Sequence, residues 1–106
     1  MITYYVNSLN ISIFSGSANY QLAEEIAKRL GLNLGKSHIK KFSDGEFNIQ
    51  LYDSLRGRNG YIIQSTCPPV NDNLIELLLL ISTMKRTNAK NITAIIPYYG
   101  YGRAVK

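Results

Sequence analysis

Apolar and polar residues alternate over residues 9–14, with Leu9, Ile11 and Ile13 interleaved by Asn10 and Ser12, which predicts a strand. Ser15, Gly16 and Ser17 break it, and Ser17 and Asn19 both suit the cap of a helix. Leu22, Ile26 and Leu30 then recur every fourth residue beside Ala23 and Ala27, while Glu24, Glu25, Lys28 and Arg29 fall largely on the other side. This is an amphipathic helix with acids early and bases late, as the helix dipole prefers, and Gly31 ends it. Residues 36–42 form a modest strand candidate, and Ser43, Asp44 and Gly45 signal a turn. Residues 46–52 alternate cleanly, with Phe47, Ile49 and Leu51 on one face, so the pair reads as a hairpin. A basic turn at 56–60 precedes a short apolar strand at 61–64, which Pro68 and Pro69 stop. Asn71 or Asp72 caps the next helix, with Glu76 in its first turn. Leu74, Leu77, Leu78, Ile81 and Met84, widened by Ile75, Leu79 and Leu80, bury that helix strongly, with Lys85 and Arg86 at its exposed end. Residues 92–97 read as another buried strand, and residues 98–106 have no clear period.

Strands separated by helices require crossovers, so the fold class is α/β, a mainly parallel sheet with flanking helices and a β-hairpin. Ligands in such sheets sit beyond the carboxyl ends of the strands. Three segments lie there: 15–17, 65–69 and 98 onward. The length of 106 residues suits one domain, and 18% charged residues exclude a disordered chain. The formal charge of +5 favours anionic partners. A single cysteine, Cys67, excludes an intrachain disulfide and points to a cytoplasmic chain. No apolar run reaches the roughly 18 residues of a membrane span, so no membrane partner is expected. The first ten residues lack the pattern of a signal peptide.

Candidate chemistry is sparse. Gly16, between a strand and a helix start, could offer backbone N–H groups to a phosphate or simply form a tight turn. Asp44 and Glu46 flank Gly45 as an acid–base or cation pair, or as solvated turn residues, and the ring of Phe42 precedes them. Arg56 and Arg58 could clamp phosphate or remain solvated. His38 has no companion at ligand spacing, and Cys67 reads as a structural thiol, so no metal ligand and no catalytic residue is identified. Tyr98, Tyr99 and Tyr101 cluster with Arg103, but the lysines are not interleaved with them, and no nucleic acid partner is expected.

Taken in order, several segments resemble ribose-phosphate pyrophosphokinase, the family that makes phosphoribosyl pyrophosphate. Residues 13–19 with Leu22 and Ala23 are similar to its opening. Phe42, Ser43, Asp44, Gly45 and Glu46 match its Phe-Ser-Asp-Gly-Glu signature, and residues 54–57 are similar to its Ser-Val-Arg-Gly segment. Residues 95–101 match the start of its Ile-Pro-Tyr-Tyr-Gly-Tyr-Ala-Arg run. The resemblance covers about Ile11 to Arg103 and implies a phosphoribosyltransferase-like fold. The implied reaction transfers the diphosphate of ATP to ribose 5-phosphate with Mg²⁺, giving phosphoribosyl pyrophosphate and AMP for nucleotide biosynthesis. It implies that Phe42, Asp44 and Glu46 bind the adenine end of ATP, in the site of a neighbouring subunit of a homo-oligomer. Arg103 would hold ATP phosphates, and Ser54 and Arg56 would belong to a regulatory anion site.

There are departures. After Arg103 the family continues Gln-Asp-Arg/Lys-Lys, whereas this chain reads Ala104, Val105, Lys106. The Mg²⁺-binding histidine, the catalytic flexible loop and the loop that grips ribose 5-phosphate have no counterpart here, and His38 is not at the metal position. Residues 1–106 are therefore expected to form an incomplete N-terminal domain without the C-terminal one, inactive alone and self-associating through the face around Tyr98. Two other readings are a non-catalytic regulatory subunit associated with the enzyme, and an unrelated anion- or RNA-binding α/β module. Retention of the Phe-Ser-Asp-Gly-Glu signature argues against the first of these.

Overall fold

The computed structural model describes residues 10–100. Ile11–Ser15 form β1, Tyr20–Arg29 α1, Ser37–Lys41 β2, Phe47–Leu51 β3, Asn59–Ile63 β4, Val70–Arg86 α2 and Asn91–Ile95 β5. β1, β4 and β5 make a parallel sheet in that order, with Phe14 level with Ile62 and Ile62 level with Ala94. β2 and β3 pair antiparallel, Ile39 opposite Ile49, as a separate hairpin.

Successive strand residues face opposite sides of a sheet, and the burial follows that period. Phe14 and Ile62 point to the α2 side and build the main core with Leu55, Leu77, Leu80 and Met84. Ile39, Ile49 and Leu51 of the hairpin close over this cluster, so the hairpin's apolar face is what seats it against α2. On the other side, Ile13 and Ile63 pack with Ala23 of α1. The chain passes Gly31 at φ 72°, a left-handed conformation that stops α1 where the sequence places its end.

Four local expectations are corrected. The first turn of α1 holds no acid, because the helix begins at Tyr20 and Glu24 and Glu25 fall in its second turn. Asn19 stands at the N-cap of α1 without a side-chain cap bond, since its Oδ1 accepts from the Ser65 N–H at 3.0 Å. α2 begins at Val70 with Pro69 as its N-cap, so neither Asn71 nor Asp72 caps it and Glu76 lies in its second turn. β5 is half-covered instead of buried: Ile92 and Ala94 pack toward α2, whereas Asn91, Thr93 and Ile95 are exposed. α1 packs chiefly on β1 and leaves that outer part of the sheet open.

Candidate functional site

The Phe42, Asp44 and Glu46 turn is the tip of the hairpin. The Phe42 N–H donates to the Glu46 carbonyl at 2.7 Å and the Gly45 N–H to the Phe42 carbonyl at 2.9 Å. The Glu46 N–H donates to Asp44 Oδ1 at 3.0 Å, an Asx-type closure, while Gly45 takes φ 94°. One Asp44 oxygen is thereby spent on the turn, and the other, with the Glu46 carboxylate, faces solvent. The Phe42 ring is 42% exposed for a large apolar side chain, with Lys40 Nζ 5.2 Å from its centroid. Next to it, Lys41 Nζ is 2.8 Å from Asp72 Oδ2 in the first turn of α2. The turn therefore presents a ring, two acids and flanking ammonium groups, pinned to the start of α2.

The segment leading to Arg103 reaches the same helix end. The Thr66 N–H donates to the Tyr98 carbonyl at 2.8 Å, and the Gly100 N–H to Thr66 Oγ1 at 2.7 Å. Gly100 lines a cleft of about 420 Å³ with Pro69, Val70, Asn71 and Asp72. Arg103 itself, like Tyr101, lies outside the described residues. Tyr98 and Tyr99 are each 53% exposed, so the face around Tyr98 is open, as its sequence suggested.

Ser54 and Arg56 are at the opposite end of the hairpin, about 17 Å away along the five residues of β3 at roughly 3.4 Å per residue. One chain does not bring them to the Phe42 turn. Both are exposed, and Leu55 between them is fully buried, anchoring the loop in the core. Arg56 forms an isolated bridge with Ala89. Ser54 lines a cleft of about 400 Å³ with Ser12, Gly35, Asp53 and Arg58. Arg58 is committed to β1, donating from Nε to Ser12 Oγ at 2.7 Å and from Nη2 to the Ile11 carbonyl at 2.6 Å. It is therefore not the free half of an arginine clamp with Arg56.

The Gly16 loop resolves the choice between phosphate cradle and tight turn. The Gly16 N–H donates to the Ile63 carbonyl at 3.0 Å and the Ala18 N–H to Gln64 Oε1 at 3.0 Å. The Ser17 N–H and Ser17 Oγ donate to the two oxygens of Glu76, each at 2.6 Å. Glu76 is 2% exposed and Gln64 is fully buried. The loop before α1 thus holds an anion, but the anion is the chain's own carboxylate, bound by Ser17 two residues ahead of the Asn19 N-cap. A methyl group on Gly16 would stand 2.1 Å from Gln64 Oε1 and 2.8 Å from Glu76 Oε2, so only glycine admits both side chains. Sequence reasoning missed this role of Glu76. The available signal was a lone acid inside the apolar run of residues 74–80, at a position the core buries.

His38 is exposed on β2, and Cys67 is a free, partly buried thiol with the Asn73 Nδ2 group 3.7 Å from its sulfur. Among the described residues no three His, Cys, Asp or Glu side chains stand together as a metal site. No helix among them is long and apolar enough to cross a membrane.

A parallel sheet with helices on both faces, carrying a seated hairpin, defines a phosphoribosyltransferase-like α/β domain. The chain belongs to the family of the N-terminal domain of ribose phosphate pyrophosphokinase, whose sequence pattern matches residues 11–106. It is 55% identical over 98 residues to ribose-phosphate pyrophosphokinase 1, chloroplastic, of Oryza sativa subsp. japonica, covering 92% of this chain and 25% of that protein. It is 50% identical over 98 residues to the ribose-phosphate pyrophosphokinase of Fusobacterium nucleatum, covering 92% of this chain and 31% of that one. The crystal structure of phosphoribosylpyrophosphate synthetase from Mycobacterium smegmatis superposes with a TM-score of 0.88 at 37% identity, over 92% of this chain and 33% of that one. The chain thus spans about a quarter to a third of the length of these relatives.

Proposed function

We propose that these residues supply the nucleotide-binding turn of a ribose-phosphate diphosphokinase. That enzyme transfers the diphosphate of ATP to ribose 5-phosphate and releases phosphoribosyl pyrophosphate and AMP for nucleotide biosynthesis. The observation that carries the reading is the hydrogen-bonded, solvent-facing turn of Phe42, Asp44 and Glu46 in a chain of this family. Phe42 keeps enough open ring to stack on adenine. The unspent oxygens of Asp44 and Glu46 accept from the adenine amino group or the ribose hydroxyls. Arg103 holds phosphates beyond the Gly100 segment, while Ser54 and Arg56, far from the turn, bind a regulatory anion between subunits of a homo-oligomer.

Mg²⁺ belongs to this reading as the metal of the whole family enzyme, accompanying the ATP phosphates. Phosphoryl-type transfer is catalysed by positioning and charge neutralisation, and the described residues position the nucleoside and provide no group for the transferring phosphates. On this reading the 106 residues alone do not turn ATP over. The proposed compartment is the cytoplasm. The rice relative is named chloroplastic, so fractionation of tagged protein decides between the two.

Calorimetry with ATP tests the turn: Phe42→Ala combined with Asp44→Ala is expected to abolish measurable binding, and undiminished affinity refutes the assignment. Incubation with ATP, Mg²⁺ and ribose 5-phosphate tests the rest. No AMP is expected, and steady release at an enzyme-like rate refutes the claim of inactivity.

A further inference from the structure

We propose that Thr66 is a positioning residue for phosphate binding: its buried hydroxyl clamps residues 98–100 and so sets Arg103, three residues further on. The proposal rests on the reading of Arg103 as a phosphate-holding residue. β5 ends at Ile95, so residues 98–100 lie outside any strand or helix. Pro97, Tyr98 and Tyr99 are exposed, so burial of their side chains does not fix the path of the chain. Thr66, fully buried, supplies the hold. Its N–H donates to the Tyr98 carbonyl at 2.8 Å, and its Oγ1 donates to the same oxygen at 3.2 Å. That Oγ1 also accepts from the Gly100 N–H at 2.7 Å. Both lone pairs of the Tyr98 carbonyl are thereby used, and the hydroxyl serves as donor and acceptor at once. Gly100 is pressed against the same residue. A methyl group on it would overlap the Thr66 carbonyl oxygen and stand 2.7 Å from Val70 Cγ1.

Thr66 is itself held in place from the other side. The Ser65 N–H donates to Asn19 Oδ1 at 3.0 Å, Gln64 Oε1 accepts from the Ala18 N–H at 3.0 Å, and Glu76 grips Ser17 of the same loop. The segments beyond the carboxyl ends of β1, β4 and β5 are thus bonded one to the next, and Thr66 is the link that reaches toward Arg103. A binding group is effective only when its support is fixed, and a small misplacement costs much of its contribution. The Thr66 hydroxyl gives that support to a segment with no ladder of its own.

The test measures binding of inorganic tripolyphosphate, ATP and adenosine to the 106-residue chain by calorimetry, with folding checked by far-UV circular dichroism. Thr66→Val keeps the shape and removes the hydroxyl. It is expected to weaken tripolyphosphate and ATP about tenfold and to leave adenosine within about twofold, while Thr66→Ser restores both anions to within about threefold. In an Arg103→Ala background Thr66→Val is expected to cost nothing further, because it acts through that arginine. Gly100→Ala pushes on the clamp from its other side and is expected to reproduce the loss, which keeps the test open should the valine variant not fold. Equal losses for adenosine and tripolyphosphate overturn the proposal, since they indicate general destabilisation. So do parent affinity for both anions in Thr66→Val, losses that add to those of Arg103→Ala, and a parent chain that does not bind tripolyphosphate. Tripolyphosphate has no adenine to meet the Phe42 turn, so this arm stands where the test of that turn fails, and its own failure leaves the turn's assignment intact.

Discussion

Removing the Glu76 carboxylate should weaken the domain more than removing any exposed acid. In Glu76→Ala, the Ser17 N–H and the Ser17 hydroxyl both lose a 2.6 Å acceptor at a part-buried site. Hydrogen bonds to a charged group contribute about 1.5–3 kcal/mol each. Part of that is offset because the variant no longer buries a carboxylate, whose desolvation is costly. The net loss is about 2–4 kcal/mol, a large share of the roughly 5–15 kcal/mol that holds a domain of this size. With a urea slope of about 1.5 kcal/mol per molar, the unfolding midpoint should fall by about 2 M. Glu76→Gln should fall by far less, about 1 kcal/mol. Its amide oxygen can accept from the Ser17 N–H and its amide nitrogen can donate to Ser17 Oγ. Urea unfolding followed by far-UV circular dichroism reads both. An alanine variant with the parent's midpoint refutes the view that this carboxylate holds the loop.

Gly16→Ala should cost about 2–4 kcal/mol in the same assay, because its methyl group must displace two buried side chains, Gln64 and Glu76, and a parent-like midpoint would contradict the packing. Leu55→Ala, which empties a fully buried site, should cost about 2–5 kcal/mol. Lys41→Ala should cost less than about 1 kcal/mol in the same unfolding assay, since both partners of its ion pair are about half exposed and water screens the pair, and a larger loss would show that the bridge is structural.

The alternating and fourfold patterns made the strands, helices and hairpin legible, because a buried face must follow the period of its element. Where the sequence misled, a tertiary partner had taken over a local role. Asn19 looks like a cap, yet Ser65 N–H claims its oxygen. Asp72 looks like a cap as well, yet the helix starts two residues earlier and Asp72 meets Lys41. Glu76 reads as a first-turn acid on composition, and only the fold shows that Ser17, 59 positions away in sequence, is its partner. Ile92 and Ala94 carry the apolar signal of β5, but burial of its other face depends on what covers it, which a strand's own residues do not encode. The Phe42 turn is recognisable as a turn from Asp44 and Gly45, while its proposed link to a nucleotide comes through the family resemblance and not through local physics.

The hairpin and the three-stranded sheet belong to separate hydrogen-bonded ladders. The hairpin is seated through Ile39, Ile49 and Leu51 against the core, and its tip is tethered through Lys41. The pose of the tip is thus inherited from side-chain fit under β3 and α2. A random library screened for altered retention on immobilised ATP should therefore return hits at Ile49 and Leu51 alongside Phe42, and conservative volume changes there would tune affinity from a distance.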